Sequence, residues 1–484
     1  MPFVTGPLPQ RLKLVHGFGA VAFGVKDSGF SFFLLPFYNL VLGVDASTVG
    51  AALAAALVID ALVDPLIGHL SDRTYTKWGR RLPWLYLAPW PLALVWTMLW
   101  SPPFTGTPGF WDIVALAVGV RLLLSACEVP SVSLVPEITD DYDDRTTLFR
   151  YRFLSGWLGG LLMMVLTFTV FLPTPQSQLQ PEGYASYGLF GAALIALSVI
   201  GSAAAQHRIV AQLPERRPAP FSITGAFAEI FDAFREKAFV IFALGGLAAY
   251  VLQGMTFSIT QYVNLYVWQF SELAFQLYPA VLFLSVVLMF VIVGPLHRRW
   301  GKPKSAALGA LVGLAFYCSP YVFYLAGAWP TVGTTASTAL LYGFLVCANT
   351  ASVVAIISAT SMVAEIVEAF EERTGQRAEG TFYAGNWLVQ KCATGGGILL
   401  TSLIVQSIDL APGTPQAEVA PETVRQLVWL FMLAATVLAS IAAFWLARFP
   451  ISREQHEARV AARRGRPAPP APATADPLDQ AVRA

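Results

Sequence analysis

The stretch STVGAALAAALVIDALVDPLIGHLSDRTYTKWGRRLPWLYLAPWPLALVWTMLWSPPF, residues 47–104, decides the fold. Its first part, 47–70, is an apolar run interrupted by few polar groups, among them Asp60 and Asp64. A helix of about 20 residues rises roughly 30 Å, the thickness of a bilayer's hydrocarbon core. A short loop with Arg73, Lys77, Arg80 and Arg81 follows, and a second apolar run begins near Leu82 and stops at Pro102-Pro103. The stretch reads as two membrane-spanning helices joined by a basic turn.

The same pattern continues in both directions. Spans are expected at about 17–43, 47–70, 83–104, 110–136, 150–172, 184–207, 238–266, 274–296, 304–326, 332–364, 380–408 and 422–446. Turn signals separate them, such as the stretch from Pro173 to Pro181 and Trp329-Pro330. Of the whole chain, 56% is hydrophobic and only 13% charged, against about 25% charged in an average soluble protein. The fold class is an all-α membrane protein of twelve transmembrane helices. The net charge of +1 carries no signal for nucleic acid, because the charges are segregated. No nucleic-acid partner is expected.

Lysine and arginine give the orientation. Even-numbered connections hold nearly all the loop basic residues: the 73–81 group, then Arg208, Arg216, Arg217, Arg235 and Lys237, then Arg298, Arg299, Lys302 and Lys304. Odd-numbered connections hold none until Arg425. By the positive-inside rule both termini lie in the cytoplasm, and the expected location is a bacterial cytoplasmic (plasma) membrane. The first fifteen residues lack a signal-peptide pattern, so the first helix is expected to remain in the mature protein. The connection between spans six and seven is the longest basic one and divides the chain into six-helix halves. The expected units are 1–207, a linker 208–237, a second half 238–449, and a disordered tail 450–484 rich in Ala, Pro, Arg and Glu. The halves echo each other: HLSDRTYTKWGRR after span two answers LHRRWGKPK after span eight. Two similar six-helix halves resemble the major-facilitator transporters.

Cys127, Cys318, Cys347 and Cys392 fall in apolar runs with no CxxC pair, and read as buried small residues rather than a disulfide or metal site. The chain carries no HExxH, GxSxG or P-loop pattern, and its five histidines are scattered. That weighs against an enzyme, and no cofactor beyond a coupling ion is expected. A non-transporting membrane enzyme or assembly factor is the rival from another class.

Ionisable side chains inside a bilayer are costly and usually functional. The first half has Lys26 and Asp27 in span one, Asp60 and Asp64 in span two, Arg121 and Glu128 in span four, and Arg150 and Arg152 at the start of span five. The second half has mainly Lys391 in span eleven, with Asn386 before it and Gly395, Gly396 and Gly397 after it, and Glu365 and Glu368 at the end of span ten. Asp60 and Asp64, four apart, share a helix face. Two such carboxylates repel unless a cation sits between them or one is protonated. Ser125 and Glu128, three apart on span four, offer further oxygens. Asp64 has a second reading, a hydrogen-bonding role near the helix end, since Pro65 follows it. Lys26 and Asp27 point about 100° apart, so each is expected to face a different partner. Arg152 offers a fork of donors to solute hydroxyls or carboxylates; interfacial snorkelling is the alternative for Arg150 and Arg152. Arg121 is expected to pair with a half-buried carboxylate. Lys391 opposite the carboxylates can neutralise them when no cation is bound, or form a fixed ion pair. Tyr262, Tyr266 and Trp268 are candidates for an outer vestibule, and Trp84, Trp90, Trp96 and Trp100 for packing or interface roles.

Four segments together resemble the glycoside–pentoside–hexuronide:cation symporter family: DALVDPLIGHLSDRTYTKWGRRLPW (60–84), GFGAVAFGVKDSGF (17–30), SACEVPSVSLVPEIT (125–139) and FYAGNWLVQKCATGGG (382–397). The resemblance runs almost to Pro450. It implies sodium-, lithium- or proton-coupled symport of a small-molecule solute, such as a sugar or glycoside, by alternating access. It further implies a cation site at Asp60, Asp64 and Ser125, with Asp60 and Asp64 as metal ligands if the ion is Na+. The substrate carboxylates fall on Asp27 and Glu128, the substrate-side arginine on Arg152 and the span-eleven lysine on Lys391. Lys26 and Asn386 complete the solute-side set, and Glu128 is counted on the cation side as well. Departures from the family's best-known sugar permease are Val63 in place of a polar amide, Glu128 for a shorter Asp, and Val132 for a Trp that packs on the sugar. Val63 removes an oxygen ligand and favours a proton; Val132 leaves a more apolar wall. A related branch of sodium-coupled lysolipid symporters is the first rival. The expected partners are the solute, the cation and the lipid bilayer, with the protein a monomer.

Overall fold

The computed structural model describes residues 8–451 except 140, 212–227, 229–230, 376–377 and 409. Most of the expected linker, with Arg216 and Arg217, and the tail from 452, with His456, lie outside the described residues. Among the described residues the secondary structure is helical, with no strand.

Among the described residues, eleven helical runs are long and apolar enough to cross a membrane. One of them, Glu272–Leu325, has 54 residues, far more than one crossing needs. Gly301 breaks it with φ 73°, a left-handed conformation open to glycine at little cost. The run is therefore two spans, and the total is twelve. In chain order they are α1 (Gln10–Val41), α2 (Ala46–Asp72), α3 (Leu82–Trp100), α4 (Phe110–Ile138), α5 (Asp143–Phe171), α6 (Pro181–Val210) and α7 (Lys237–Val267). Then come α8 (272–300) and α9 (302–325), α10 (Thr335–Thr374), α11 (Glu379–Ser407) and α12 (Pro421–Leu446). Span ten outruns its expected end at 364. Its apolar part stops near Val367, but a polar last turn continues to a left-handed Gly375 cap, φ 73°.

Helix ends follow ordinary capping chemistry. Asp141 Oδ1 accepts from the Asp144 N–H at 2.8 Å, and Thr334 Oγ1 accepts from the Ser337 N–H at 3.3 Å. Pro181 and Pro421 sit in the first turn of α6 and α12. The ends of α1, α5 and α7 remote from the basic loops wind into π-helical turns at Phe37–Val41, Thr167–Phe171 and Val263–Val267.

Glycines set the closest helix contacts. A Cβ on Gly24 of α1 would run into the Gly156 carbonyl oxygen of α5. A Cβ on Gly397 of α11 would run into the Val251 carbonyl oxygen of α7. Helices one and five of the first six spans thus meet backbone to backbone, and so do helices seven and eleven of the last six.

Contacts between the first and last six spans join α2 to α11, α1 to α7 and α5 to α8, starting at the end remote from the basic loops. The Ser47 N–H of α2 reaches Gln406 Oε1 of α11 at 3.5 Å. A Cβ on Gly50 would touch Ser402, and one on Gly395 would touch Ala54 and Leu57. Tyr262 Oη donates to Asn39 Oδ1 at 2.9 Å, Phe32 packs on Phe257 at 5.0 Å between ring centroids, and Phe168 packs on Phe275 at 5.2 Å. Further along, α2 and α11 meet at Asp64 and Lys391. Towards the basic end each helix then turns to its own half: Ser71 and Asp72 bond Arg81, and Phe382 packs on Phe239 and Phe370.

Candidate functional site

Asp60, Asp64, Arg121 and Lys391 converge where α2 and α11 part. Helix geometry arranges them. Asp60 and Asp64 are one turn apart on α2, and Arg121, Ser125 and Glu128 recur at helical spacing along one face of α4. Ser125 Oγ lies between the two aspartates, 2.7 Å from Asp64 Oδ1 and 3.2 Å from Asp60 Oδ1. Lys391 Nζ, from the other half of the chain, reaches Asp64 Oδ2 at 2.5 Å and Asp60 Oδ2 at 2.9 Å. Arg121 Nη1 donates to Asp60 Oδ2 at 3.1 Å, the half-buried partner expected for it being instead a deeply buried one. The aspartates differ in access: Asp60 is 4% exposed, whereas the Asp64 side chain is 31% exposed. Pro65 leaves α2 unbroken through Asp72, so Asp64 is mid-helix and spends its oxygens on Ser125 and Lys391 rather than on a helix end.

A second ion pair lies further along α4. Glu128 Oε1 accepts from Arg152 Nη2 at 2.6 Å, and Arg152 Nη1 donates to Ser131 Oγ at 2.5 Å. Glu128 is thus engaged by Arg152, while the oxygens gathered at Lys391 come from Asp60 and Asp64. Arg152 is buried and Arg150 exposed, which separates two residues that the sequence treats alike. Ser131 is missing from the set expected from sequence; its spacing of three from Glu128 is the signal that finds it.

Lys26 and Asp27 correct an expectation. They pair with each other, Nζ to Oδ1 3.4 Å. The lysine chain passes over the Phe23 ring, 4.3 Å from ammonium to centroid. That bend brings its ammonium round to the neighbouring carboxylate in spite of the 100° offset. Lys26 is buried, but the Asp27 side chain is 57% exposed and has lone pairs to spare. Asn386 Oδ1 accepts from Tyr250 Oη at 3.3 Å, within the second half. The five-residue step from Asn386 to Lys391 separates their partners.

The vestibule residues take different places. Tyr262 is fully buried and closes the seam on Asn39. Trp268 packs among Tyr321, Tyr324 and Trp329. Tyr266 borders a pocket of about 250 Å³ with Gln176, Gln180 and Gln416. Trp96 and Trp100 are core residues, and Trp90 is exposed. Among the described residues no cluster of three or more His, Cys, Asp and Glu side chains is arranged to hold a metal. Any cation at Asp60 and Asp64 would be cargo held by two carboxylates and a hydroxyl.

Comparison with known proteins agrees with this architecture. The family model for MFS/sugar transport proteins matches residues 15–453. A symporter described as uncharacterized from Synechocystis is 28% identical, over 92% of this chain and 94% of that protein. The isoprimeverose transporter of Lactiplantibacillus pentosus is 30% identical over 33% of each chain. The inner membrane symporter YicJ of Escherichia coli is 30% identical over 33% of this chain and 35% of its own. Among solved structures, the nucleoside transporter NupG aligns with a TM-score of 0.61 at 16% identity, covering 91% of this chain and 99% of that one. A bacterial Spinster homologue in an inward-facing, occupied conformation aligns with a TM-score of 0.63 at 14% identity, over 91% and 96%. The fold is that of the major facilitator superfamily, and these relatives and structural neighbours are membrane transporters rather than enzymes. By its matched length and its twelve-span architecture, this multi-pass membrane transporter belongs to the MFS/sugar transport protein family.

Proposed function

We propose that this chain is a cation-coupled symporter of a polar organic solute, a sugar or glycoside, working by alternating access between two six-helix halves. One observation carries the reading: Lys391 of the second half bonds both Asp60 and Asp64 of the first, at the point where the halves part. A cation that binds there competes with the tether between the halves, so ion occupancy and conformation are linked. Two carboxylates and two side-chain cations balance in this arrangement. An added sodium ion or proton leaves excess positive charge in a partly desolvated site and weakens the hold of Lys391. The half-chains then separate on the side where they now touch. With basic loops inside, the present arrangement corresponds to an inward-facing carrier.

The solute side is the open edge of the same cluster. Asp27 presents acceptors, Arg152 presents donors beside Glu128, and Asn386 lies across on α11. Carboxylates with a guanidinium suit vicinal hydroxyls, and the match to the MFS/sugar transport family and to a relative described as an isoprimeverose transporter supports that class. The test is uptake into proteoliposomes of sugars, glycosides, uronates and lysolipids, with sodium and pH gradients imposed separately. Gradient-driven accumulation of a sugar or glycoside is expected. Accumulation of lysolipids alone would reassign the solute, and solute exchange indifferent to both gradients would remove the coupling.

A further inference from the structure

Arg121 is a buried cation outside the solute-side set named above. It is 7% exposed, its Nη1 donates to Asp60 Oδ2 at 3.1 Å, and its guanidinium lies over the Phe30 ring, 4.6 Å to the centroid. Its Nε is buried without an acceptor. A structural strut between α2 and α4 would satisfy all its donors at less cost if it were an amide or hydroxyl pair. An arginine, by contrast, holds its charge at any working pH.

The consequence falls on Asp60. Its Oδ2 receives both Arg121 and Lys391, and its Oδ1 receives Ser125. Lys391 comes from the other half and leaves when the halves move apart, but Arg121 belongs to the same half as Asp60 and stays with it. Asp64 is different: it is held by Ser125 and Lys391, and its side chain is 31% exposed. When Lys391 withdraws, Asp64 loses its counter-charge and Asp60 does not. A sodium ion at this place needs several oxygen ligands and a net negative surround. It would find one free carboxylate, one hydroxyl, the apolar Val63, and a guanidinium already on the second carboxylate.

We propose that Arg121 is a tethered counter-ion that closes Asp60 to sodium and so sets the ion selectivity of the carrier in favour of the proton. The proposal rests on the cation-coupled reading above. A proton needs no coordination shell, and it discharges a carboxylate instead of crowding the guanidinium. The charged and hydrogen-bonding groups facing Asp60 are Asp64 on α2, Arg121 and Ser125 on α4, Lys391 on α11 and the buried Lys26 on α1. The Glu128–Arg152 pair lies further along α4, and the Lys26–Asp27 pair on α1.

The test compares the native protein with Arg121→Gln, which removes the charge, and Arg121→Lys, which keeps it, each with and without Asp60→Asn. Two readouts are used: sodium-dependent thermal stabilisation of purified protein, and uptake into proteoliposomes driven by sodium at fixed pH or by a pH gradient. The native protein and Arg121→Lys are expected to respond to the pH gradient and to ignore sodium. Arg121→Gln is expected to gain sodium stabilisation and sodium-driven uptake. Its half-saturating sodium should lie at least roughly tenfold below the highest concentration at which the native protein shows no response, as expected for one charge removed beside the site. Asp60→Asn in that background should abolish the gain. Sodium-driven uptake by the native protein overturns the proposal, as does an Arg121→Gln protein that exchanges solute yet remains blind to sodium. If Arg121→Gln does not fold, the native protein decides: proton-driven uptake indifferent to sodium supports the proposal, and sodium-driven uptake overturns it. Failure of the parent reading looks different, since the native protein would then exchange solute without responding to either gradient.

Discussion

Asp60 and Asp64 are the same residue type one turn apart, yet their surroundings give them different work. Asp60 is shut in with a guanidinium that cannot discharge, while Asp64 is 31% exposed and bonds a lysine of the other half, the one that withdraws in the proposed cycle. The neutral isostere separates them by experiment. Asp64→Asn is expected to abolish gradient-driven accumulation while leaving exchange at equal concentrations within about threefold of native, because exchange needs no net ion movement. Proteoliposome uptake and counterflow measured side by side check this, and undiminished accumulation would remove Asp64 from coupling. In the proposed function Arg152 belongs to the solute side. Its guanidinium bonds Glu128 at 2.6 Å, and a charge-assisted bond from it to a solute oxygen would be worth about 1.5–3 kcal/mol. Arg152→Gln should therefore weaken solute affinity by roughly 10- to 100-fold, with the ion dependence of the remaining uptake unchanged. A binding titration with the solute identified in the screen measures it.

Much of this residue-scale arrangement is legible in the sequence, and the limits have physical causes. Spacing along one helix finds the Asp60–Asp64 face and the Arg121, Ser125 and Glu128 face, because helical periodicity is local. It cannot find the Lys391 bond, which joins positions 327 residues apart in sequence. Nor does it find the Lys26–Asp27 pair, since a long side chain bent over Phe23 overrides the offset between neighbours. Exposure is equally hidden: Arg150 and Arg152 are alike in sequence and opposite in burial.

At the scale of the helix, small residues matter more than bulk apolar ones. Lipid tails are as apolar as leucine, so helices in a bilayer associate through close packing rather than through burial of apolar surface from water. The α1–α5 contact at Gly24 leaves no room for a side chain, because backbone stands where its Cβ would go. Gly24→Leu is expected to push α1 from α5 and to cost at least about 1–3 kcal/mol, the usual penalty of overpacking. A Cβ on Gly343 would meet nothing within 4 Å, so Gly343→Leu is the matched control. Fluorescence-detected size exclusion in detergent, run as a temperature series, reports both. Equal melting of the two variants would show that the close approach does not hold the half together. The break at Gly301 rests on a small residue too: LHRRWGKPK marks a polar turn in sequence, and in the structure Gly301 alone leaves helical geometry there.

At the scale of the whole molecule, coupling requires that the side now closed must open. The seam is built from contacts that two rigid halves can break together: Ser47 with Gln406, Gly50 with Ser402, Asn39 with Tyr262, and beyond them Asp64 with Lys391. The polar members lie at the two ends of the α2–α11 contact, with small residues between them. Such a seam releases few strong bonds at once, and in the proposed coupling Asp64–Lys391 is the one that an incoming cation weakens. A covalent link across the small-residue stretch should therefore arrest the carrier. A Cβ on Gly50 would lie against Ser402 Cβ, closer than the roughly 3.5–4.5 Å of a disulfide, so a shift of about 1–2 Å between the helices admits one. Gly50→Cys with Ser402→Cys is expected to lose more than about nine-tenths of its uptake on oxidation and to regain it on reduction, while either single variant is indifferent to oxidant. The oxidised protein should still bind solute from the side of the basic loops, which equilibrium binding to inside-out vesicles measures. Full transport by a demonstrably cross-linked protein would mean that α2 and α11 stay together through the cycle, and the opening would have to be sought along α1 and α7 or α5 and α8.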